Sequence, residues 1–150
     1  MKVYLTRRYL FVAAHRLHSS ALSEAANRET YGKCNNPHGH GHNYFLEVTV
    51  SGPIMPETGM VCDLGALDAA ISYQVLDRFD HQNLNQMQEF AELVPTTENL
   101  TVCIQQILSR TPLPAHLEGI RIEETGNNSF EYSGTQAPRH LPHAASGRER

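Results

Sequence analysis

The chain has 150 residues, of which 40% are apolar and 19% are charged, and its formal net charge is −4. This length suits one domain with its own hydrophobic core, and the composition is that of a globular protein. The weakly acidic balance gives no electrostatic reason to bind nucleic acid or an anionic membrane, and no apolar run approaches the roughly eighteen residues that span a bilayer.

The cysteines and the first residues both favour a cytoplasmic protein. Cys34, Cys62 and Cys103 are too few, and odd in number, for a disulfide framework, as expected in a reducing compartment. The first residues, MKVYLTRRYLFVAAH, place basic side chains before an apolar run, as a signal peptide does. The run YLFVAA is short, however, and Arg7 and Arg8 interrupt the pattern, so we predict a β-strand there.

The first half of the chain predicts two long antiparallel strands. Residues 2–17 alternate in polarity as a strand does, and residues 42–51, HNYFLEVTVS, are rich in β-branched and aromatic side chains. Between them, residues 18–33 are polar and rich in turn formers, which predicts a loop. The segment GPIMPETG, with two prolines and two glycines, predicts a turn after the second strand.

The second half predicts two helices and a hairpin. Asp63 is a suitable N-cap for a helix whose apolar stripe is Leu64, Leu67, Ile71 and Val75. A second helix is predicted to begin at the cap Thr96 and to end before Pro112, with Leu100, Cys103, Ile104, Ile107 and Leu108 as its stripe. LEGIRIEET and SFEYSG read as strands joined by GNN. The order ββααββ predicts an α+β domain with an antiparallel sheet and helices on one face.

The end of the chain has a different composition. Residues 137–150, APRHLPHAASGRER, carry little apolar mass and many turn formers, which predicts a flexible C-terminal tail after a domain of residues 1–136. His140 and His143 lie in this segment, and a short HxxH in such a tail is weak support for a metal site. We therefore do not assign them as ligands.

The sequence CNNPHGHGHNYFLEVTV, residues 34–50, predicts a metal site. His40 and His42 are two residues apart at the start of the second strand, so their imidazoles project from the same face. His15, in the first strand, supplies a third donor if the two strands pair. Three protein ligands leave a fourth position open, as is typical of catalytic zinc. His38 follows Pro37 in the turn, and we expect it at the mouth of the pocket.

Two alternatives stay open for these residues. The histidines could be polar loop residues without a function, or they could form a closed structural zinc site with Cys34 as the fourth ligand, although the chain lacks the paired cysteines of zinc fingers. Cys34 is in turn either a small buried side chain or, in the polar sequence GKCNNPHG beside Lys33 and a metal, a thiolate that acts as a base or nucleophile. Cys62 and Cys103 lie among apolar residues and are predicted to be buried.

Two acidic residues complete the candidate set. In DHQNLN, Asp80 precedes His81, and a carboxylate that orients an imidazole across a turn makes a proton relay. Asp80 could equally cap a short helix, with His81 at the surface. Glu124 ends the apolar face of GIRIEET. It either meets water or accepts two hydrogen bonds from a guanidine-like ligand edge, such as that of a pterin or guanine.

Six segments together resemble a known family. AAHRL, GKCNNPHGHGHNY, TGMVCDL, DHQNLN, PTTENL and ETGNN resemble, in order, the signatures of the 6-pyruvoyl-tetrahydropterin synthase family, which includes the 6-carboxy-tetrahydropterin synthases of queuosine biosynthesis. The resemblance runs from about residue 3 to residue 134. It implies the tunnelling fold (T-fold), a four-stranded antiparallel sheet with two helices that assembles into trimers and then hexamers as an oligomeric barrel.

The resemblance also implies roles for the candidate residues. The family's zinc ligands correspond to His15, His40 and His42, its catalytic thiol to Cys34, the partners of that thiol to Asp80 and His81, its pterin-anchoring glutamate to Glu124, and its residues near the pterin to Thr96, Thr97 and Glu98. In the family the pocket lies between subunits, so parts of one site can come from different chains.

The reaction that the resemblance implies is a carbon–oxygen lyase reaction. It removes triphosphate from 7,8-dihydroneopterin triphosphate, with internal redox rearrangement, and gives 6-pyruvoyl-tetrahydropterin. Arg16, Arg28 and Lys33 are candidate cations for the triphosphate. Five residues separate Cys34 from His40, as in the pyruvoyl-forming synthases, whereas the queuosine branch usually has three. The alternatives are 6-carboxy-5,6,7,8-tetrahydropterin synthase activity on the same substrate, or a pterin-binding module without turnover.

Overall fold

Two strands of thirteen residues each, β1 (Val3–His15) and β2 (His40–Gly52), run antiparallel through the middle of the computed structural model, which describes residues 1–133. Their register runs without interruption from the pair Val3–Gly52 to the pair His15–His40. The two long antiparallel strands predicted from the sequence are confirmed, although β2 begins two residues earlier than expected. The predicted tail, with His140 and His143, lies outside the described residues.

The sheet has five strands within residues 1–133, so the prediction of four was wrong. β4 (His116–Thr125) pairs antiparallel with β2, and β5 (Asn128–Ser133) pairs antiparallel with β4. The additional strand is β3 (Gln82–Asn83), which lies parallel to β1 at the opposite edge and gives the order β3-β1-β2-β4-β5. Two exposed polar residues carry no alternating pattern, which is why the sequence did not indicate this strand.

A helix, α1 (Glu24–Tyr31), occupies the segment that we predicted to be a loop. Its N-cap is Ser23, whose hydroxyl accepts a hydrogen bond from the backbone N–H of Ala26. Asn27 is the helix's one buried residue, so α1 has no apolar stripe for a periodicity argument to detect. A 3-10 turn at Gly32–Asn35 follows and carries Cys34.

The two helices predicted from their apolar stripes are confirmed, with their caps. Asp63 caps α2 (Leu64–Ile71), which continues through a π-helical turn (Ser72–Leu76) into the short helix α3 (Asp77–Phe79). Thr96 caps α4 (Thr97–Ser109). Between α3 and α4 the chain forms β3 and two 3-10 turns, Leu84–Gln86 and Gln88–Phe90. No helix in the described part of the chain is both long and apolar enough to cross a membrane.

Helices α2, α3 and α4 cover one face of the sheet, and the core lies between these helices and the sheet. The covered face presents alternate residues of three strands, all buried: Phe11, Ala13, Tyr44, Leu46, Val48, Val50, Ile120 and Ile122. On the opposite face Arg8 pairs with Glu123, and Arg121 pairs with Glu47. His15 continues the covered face to the end of β1, so the core side chains lead directly to the histidines.

Candidate active site

Three histidines meet at the paired ends of β1 and β2. The register places His15 opposite His40, and His42 follows two residues along the same face of β2. One ring nitrogen of each lies within 4.8 Å of those of the other two, and Nε2 of His15 is 3.1 Å from Nε2 of His40. The structure therefore brings together the three residues that the sequence suggested as metal ligands.

The ring of His15 is fixed by a contact with the backbone. Its Nδ1 lies 2.7 Å from the carbonyl oxygen of Pro95, and its side chain is 1% exposed. A carbonyl oxygen only accepts hydrogen bonds, so Nδ1 carries the hydrogen and Nε2 presents its lone pair to the cluster. Burial lowers the pKa of His15 and that of His42. The lowered pKa values favour the neutral imidazole, the form that binds a metal.

The donor set suits a divalent transition metal. Three imidazole nitrogens converge, and such ligands are preferred by zinc, copper, iron and nickel rather than by calcium or magnesium. The Nδ1 atom of His40 is buried and has no hydrogen-bond partner among residues 1–133. A metal held by these three residues would keep a coordination position for a substrate or water, as in catalytic rather than structural sites.

Glu124 stands beside the cluster. Its Oε1 is 3.7 Å from Nε2 of His42 and 3.9 Å from Nε2 of His15. The same oxygen accepts a hydrogen bond from the hydroxyl of Thr97, the first residue of α4. Of the three residues in the TTE segment, Thr97 is the one turned inward, since Thr96 is occupied as the helix cap and Glu98 is exposed.

The Cys34 turn is held against the segment that follows β1. The carbonyl oxygen of Cys34 accepts a hydrogen bond of 2.8 Å from the backbone N–H of Leu17, and the thiol is half-buried and free. Gly39, at φ +71°, lets the chain return to β2, because a Cβ there would come within 3.0 Å of the His15 carbonyl oxygen. Burial raises the pKa of Tyr44, and the charges of Glu124 and Cys34 raise it further.

Asp80 and His81 form the carboxylate–imidazole pair, on the outer edge of β1. Oδ2 of Asp80 is 2.9 Å from Nδ1 of His81, and Oδ1 accepts a hydrogen bond of 2.8 Å from the Val12 N–H. That hydrogen bond, followed by the one from His81, lowers the pKa of Asp80. The side chain of His81 is 80% exposed, and its backbone has φ 58°, a left-handed conformation that is uncommon outside glycine.

A cavity of about 400 Å³ lies next to His81. Its lining includes Val12, Ala14 and Asn43, whose side chains alternate away from the face of the three histidines, and it also reaches His42. His81 thus opens onto the side of the sheet that the helices leave uncovered. Cys34 is not among the residues that line this cavity, and its turn contacts the chain at Leu17, after the end of β1.

The candidate triphosphate-binding cations have different surroundings. Arg28 lies on α1 within 3.9 Å of Glu24, and Lys33 is exposed in the Cys34 turn. Arg16 is turned toward the protein, where its Nε donates a hydrogen bond of 3.0 Å to the carbonyl oxygen of Asn35. Two residues that we did not single out from the sequence, Asn35 and Asn85, contact this segment. Asn85 lies within the DHQNLN motif, which was its only signal.

The chain matches one protein family over most of its length. The sequence model described as 6-pyruvoyl tetrahydropterin synthase matches residues 4–135. The chain belongs to the 6-pyruvoyl tetrahydropterin synthase family. A family member from Poecilia reticulata, named 6-pyruvoyl tetrahydrobiopterin synthase, is 50% identical over 133 residues, which are 87% of this chain and 90% of that protein.

A solved structure and an archaeal protein extend the comparison within the family. The structure of Caenorhabditis elegans 6-pyruvoyl tetrahydropterin synthase superposes with a TM-score of 0.82 at 45% identity, covering 90% of this chain and 97% of that one. An Archaeoglobus fulgidus protein, named putative 6-carboxy-5,6,7,8-tetrahydropterin synthase, is 33% identical over 106 residues, 71% of this chain and 84% of that protein. The α+β fold is therefore the fold of this family.

Proposed function

We propose that this chain is a zinc-dependent 6-pyruvoyl-tetrahydropterin synthase, a carbon–oxygen lyase that converts 7,8-dihydroneopterin triphosphate to 6-pyruvoyl-tetrahydropterin and triphosphate. The observation that carries the proposal is the convergence of three imidazole nitrogens within 4.8 Å, with the Glu124 carboxylate beside them. The names of the relatives at 50% and 45% identity support the pyruvoyl-forming activity.

In this proposal His15, His40 and His42 hold the zinc, which when bound would act as a Lewis acid toward the diol of the substrate side chain. Glu124 anchors the pterin. Its Oε1 already accepts the Thr97 hydroxyl, and Oε2 has no hydrogen-bond donor among residues 1–133, so it is the oxygen available to the N–H edge of the ring. Holding the ring there would place the side chain of the substrate over the histidines.

Two groups of the chain are proposed to move protons. Cys34, as a thiolate, takes a proton from the substrate side chain, and His81, oriented by Asp80, returns one to it. The 2.9 Å contact between Asp80 and His81 supports this pairing, because an ionised carboxylate both orients an imidazole and stabilises its protonated form. Thr96 and Glu98 act near the pterin through the start of α4 rather than by direct contact with Glu124.

Because His81 opens onto the uncovered side of the sheet, we propose that it serves the Cys34 of a neighbouring copy in a homo-oligomer. A hexamer, built as a dimer of trimers, is the assembly we expect. Most of β1 and the whole outer side of β5 are sheet edges without a partner strand in residues 1–133, and such edges are usually covered in native proteins.

Subunit mixing tests this shared site. Cys34→Ser and His81→Ala chains, each inactive alone, are refolded together, and mixed oligomers are isolated with two affinity tags. If each site pairs Cys34 of one chain with His81 of another, random mixing restores roughly a quarter of the sites. Mixed oligomers that stay inactive would show that both residues act within one chain.

The proposal also includes the domain boundaries and the cellular location. Residues 1–136 form one synthase domain, residues 137–150 form a tail outside it, and the enzyme acts in the cytoplasm. The 6-carboxy activity has weaker support, since the archaeal relative is 33% identical and Cys34 and His40 have the longer, pyruvoyl-type spacing.

Product analysis separates the three candidate functions. The purified protein is incubated with 7,8-dihydroneopterin triphosphate, and the pterin is identified by mass spectrometry. We expect 6-pyruvoyl-tetrahydropterin and triphosphate. A carboxy-pterin with acetaldehyde would establish the alternative enzyme, and bound but unchanged substrate would establish a binding module.

A further inference from the structure

The side chain of Asn85 makes two hydrogen bonds to the backbone of Arg16, the residue that follows His15. Its Oδ1 accepts a hydrogen bond of 2.7 Å from the Arg16 N–H, and its Nδ2 donates one of 2.8 Å to the Arg16 carbonyl oxygen. The backbone pairing of β3 with β1 ends at Asn83, opposite Ala14. The side-chain amide of Asn85 therefore takes over as the partner of β1 where the backbone pairing ends.

The side chain of Arg16 reaches in the other direction, to the Cys34 turn. Its Nε donates a hydrogen bond of 3.0 Å to the carbonyl oxygen of Asn35. Asn35 is 4% exposed, and its Nδ2 donates a hydrogen bond of 2.8 Å to the Leu17 carbonyl oxygen. With the bond from the Leu17 N–H to Cys34, three hydrogen bonds join residues 16–17 to residues 34–35.

These contacts converge on one short segment. Arg16 directly follows the candidate metal ligand His15, Asn35 directly follows the candidate catalytic thiol, and Asn85 lies four residues after His81. Hydrogen bonds to Arg16 thus connect the three chain segments that carry His15, Cys34 and His81. Side chains that hold reacting groups in place matter because a displacement of about 1 Å can lower a rate by about a hundredfold.

We propose that Arg16 and Asn85 are positioning residues that hold the Cys34 turn at a fixed place beside the three-histidine cluster. The inference rests on the proposed function, because the position of the Cys34 thiol affects kcat only if that thiol takes a proton from the substrate. It assigns Arg16 a role different from binding triphosphate. A guanidinium that binds substrate affects KM first, whereas one that positions a reacting group affects kcat.

The test compares Asn85→Ala and Arg16→Met with the wild-type enzyme. We expect kcat to fall by about tenfold to a hundredfold, with KM within about twofold. Zinc content should stay at the wild-type ratio, since His15 keeps its bond to Pro95. Gln86→Ala is the matched control, because Gln86 is an exposed amide in the same 3-10 turn whose side chain makes no hydrogen bond within residues 1–133.

A second measurement does not depend on turnover. Iodoacetamide is added to the zinc-loaded protein, and alkylation of Cys34 is followed by peptide mass spectrometry. Release of the turn should change its rate by about threefold or more in both variants and not in Gln86→Ala. Asn85→Asp keeps an acceptor for the Arg16 N–H but places a carboxylate oxygen against the Arg16 carbonyl oxygen, so it should shift the rate in the same direction.

Two results would overturn the inference. One is an unchanged kcat and an unchanged alkylation rate in folded Asn85→Ala and Arg16→Met proteins, and the other is a raised KM at constant kcat in Arg16→Met. If the wild-type protein forms no pterin product, the proposed function fails. In that case equal alkylation rates in wild type and variants would also refute the positioning, while unequal rates would support it.

Discussion

His15 and Pro95 are joined by a hydrogen bond of 2.7 Å between Nδ1 of the imidazole and the carbonyl oxygen before the Thr96 cap. This bond connects the end of β1 to the entrance of α4, 80 residues later in the chain. Since the carbonyl can only accept, the bond selects the tautomer whose Nε2 lone pair faces His40 and His42. The three-histidine cluster is therefore preorganised by the packing of α4 on the sheet.

Removal of one ligand should abolish tight metal binding. In His40→Ala we expect the affinity for zinc to fall by more than about a hundredfold, because loss of a second-shell partner alone costs 10- to 100-fold. Competition with a chromophoric chelator measures this affinity. His38→Ala is the control, since His38 is exposed in the same loop and outside the cluster. Equal affinity in the two variants would exclude His40 as a ligand.

Replacement of the thiol should separate catalysis from metal binding. Cys34→Ser is expected to keep one zinc per chain and to lose at least about a hundredfold in kcat, the usual contribution of a positioned acid or base. Metal analysis and a turnover assay on the same sample provide the comparison. Cys103→Ala is the control, because burial raises the pKa of that thiol to about 11 and keeps it un-ionised. Loss of zinc in Cys34→Ser would instead indicate a closed site with sulfur as a ligand.

Glu124 and its neighbour Glu123 form a matched pair for testing substrate anchoring. Glu124→Gln should raise KM by about 10- to 100-fold, since a hydrogen bond to a charged group contributes about 1.5–3 kcal/mol. Glu123 points to the opposite face of the sheet, where it pairs with Arg8 and Arg121, so Glu123→Gln should leave KM unchanged. An unchanged KM in Glu124→Gln would remove this residue from the pterin site.

The metal-free protein should lose stability in mild acid. Burial lowers the pKa of His15 and His42, so below the ordinary histidine pKa of about 6.5 the unfolded chain binds protons that the folded chain does not. The free energy of unfolding therefore falls as pH drops from about 6.5 toward the lowered folded-state values. Urea denaturation at a series of pH values measures this slope.

The control for the pH effect is a pair of histidine variants. His15→Gln should reduce the dependence of the unfolding free energy on pH to the part contributed by His42, whereas His38→Ala should retain all of it, because His38 is exposed. If His15→Gln and the wild-type protein show the same slope between about pH 7 and pH 5, protonation of His15 is not coupled to unfolding.

Much of the fold could be predicted because the signals are local. The alternation along β1 and β2 and the caps Asp63 and Thr96 are each contained within a few residues of sequence. Helix α1 was missed because its single buried residue, Asn27, is polar and leaves no apolar stripe. Strand β3 was missed because two polar residues paired at an edge have no periodicity.

The candidate site also has a part that local sequence signals predict and a part that they do not. The grouping of His15, His40 and His42 follows from side-chain parity and strand register, both of which are legible in the sequence. The hydrogen bond between His15 and Pro95 joins residues 80 positions apart. The hydrogen bonds between Asn85 and the Arg16 backbone join residues 69 positions apart. Such contacts depend on how α4 and β3 pack against the rest of the sheet. A local sequence pattern does not predict that packing.

Formation of the pterin product is predicted to require a metal held by His15, His40 and His42. The most direct measurement follows product formation by one protein sample before chelation, after chelation and after reloading with zinc. We predict that metal-free protein binds the pterin yet forms no 6-pyruvoyl-tetrahydropterin, and that one equivalent of zinc restores the reaction. Equal amounts of product from the metal-free and zinc-loaded samples would show that the reaction does not require the metal.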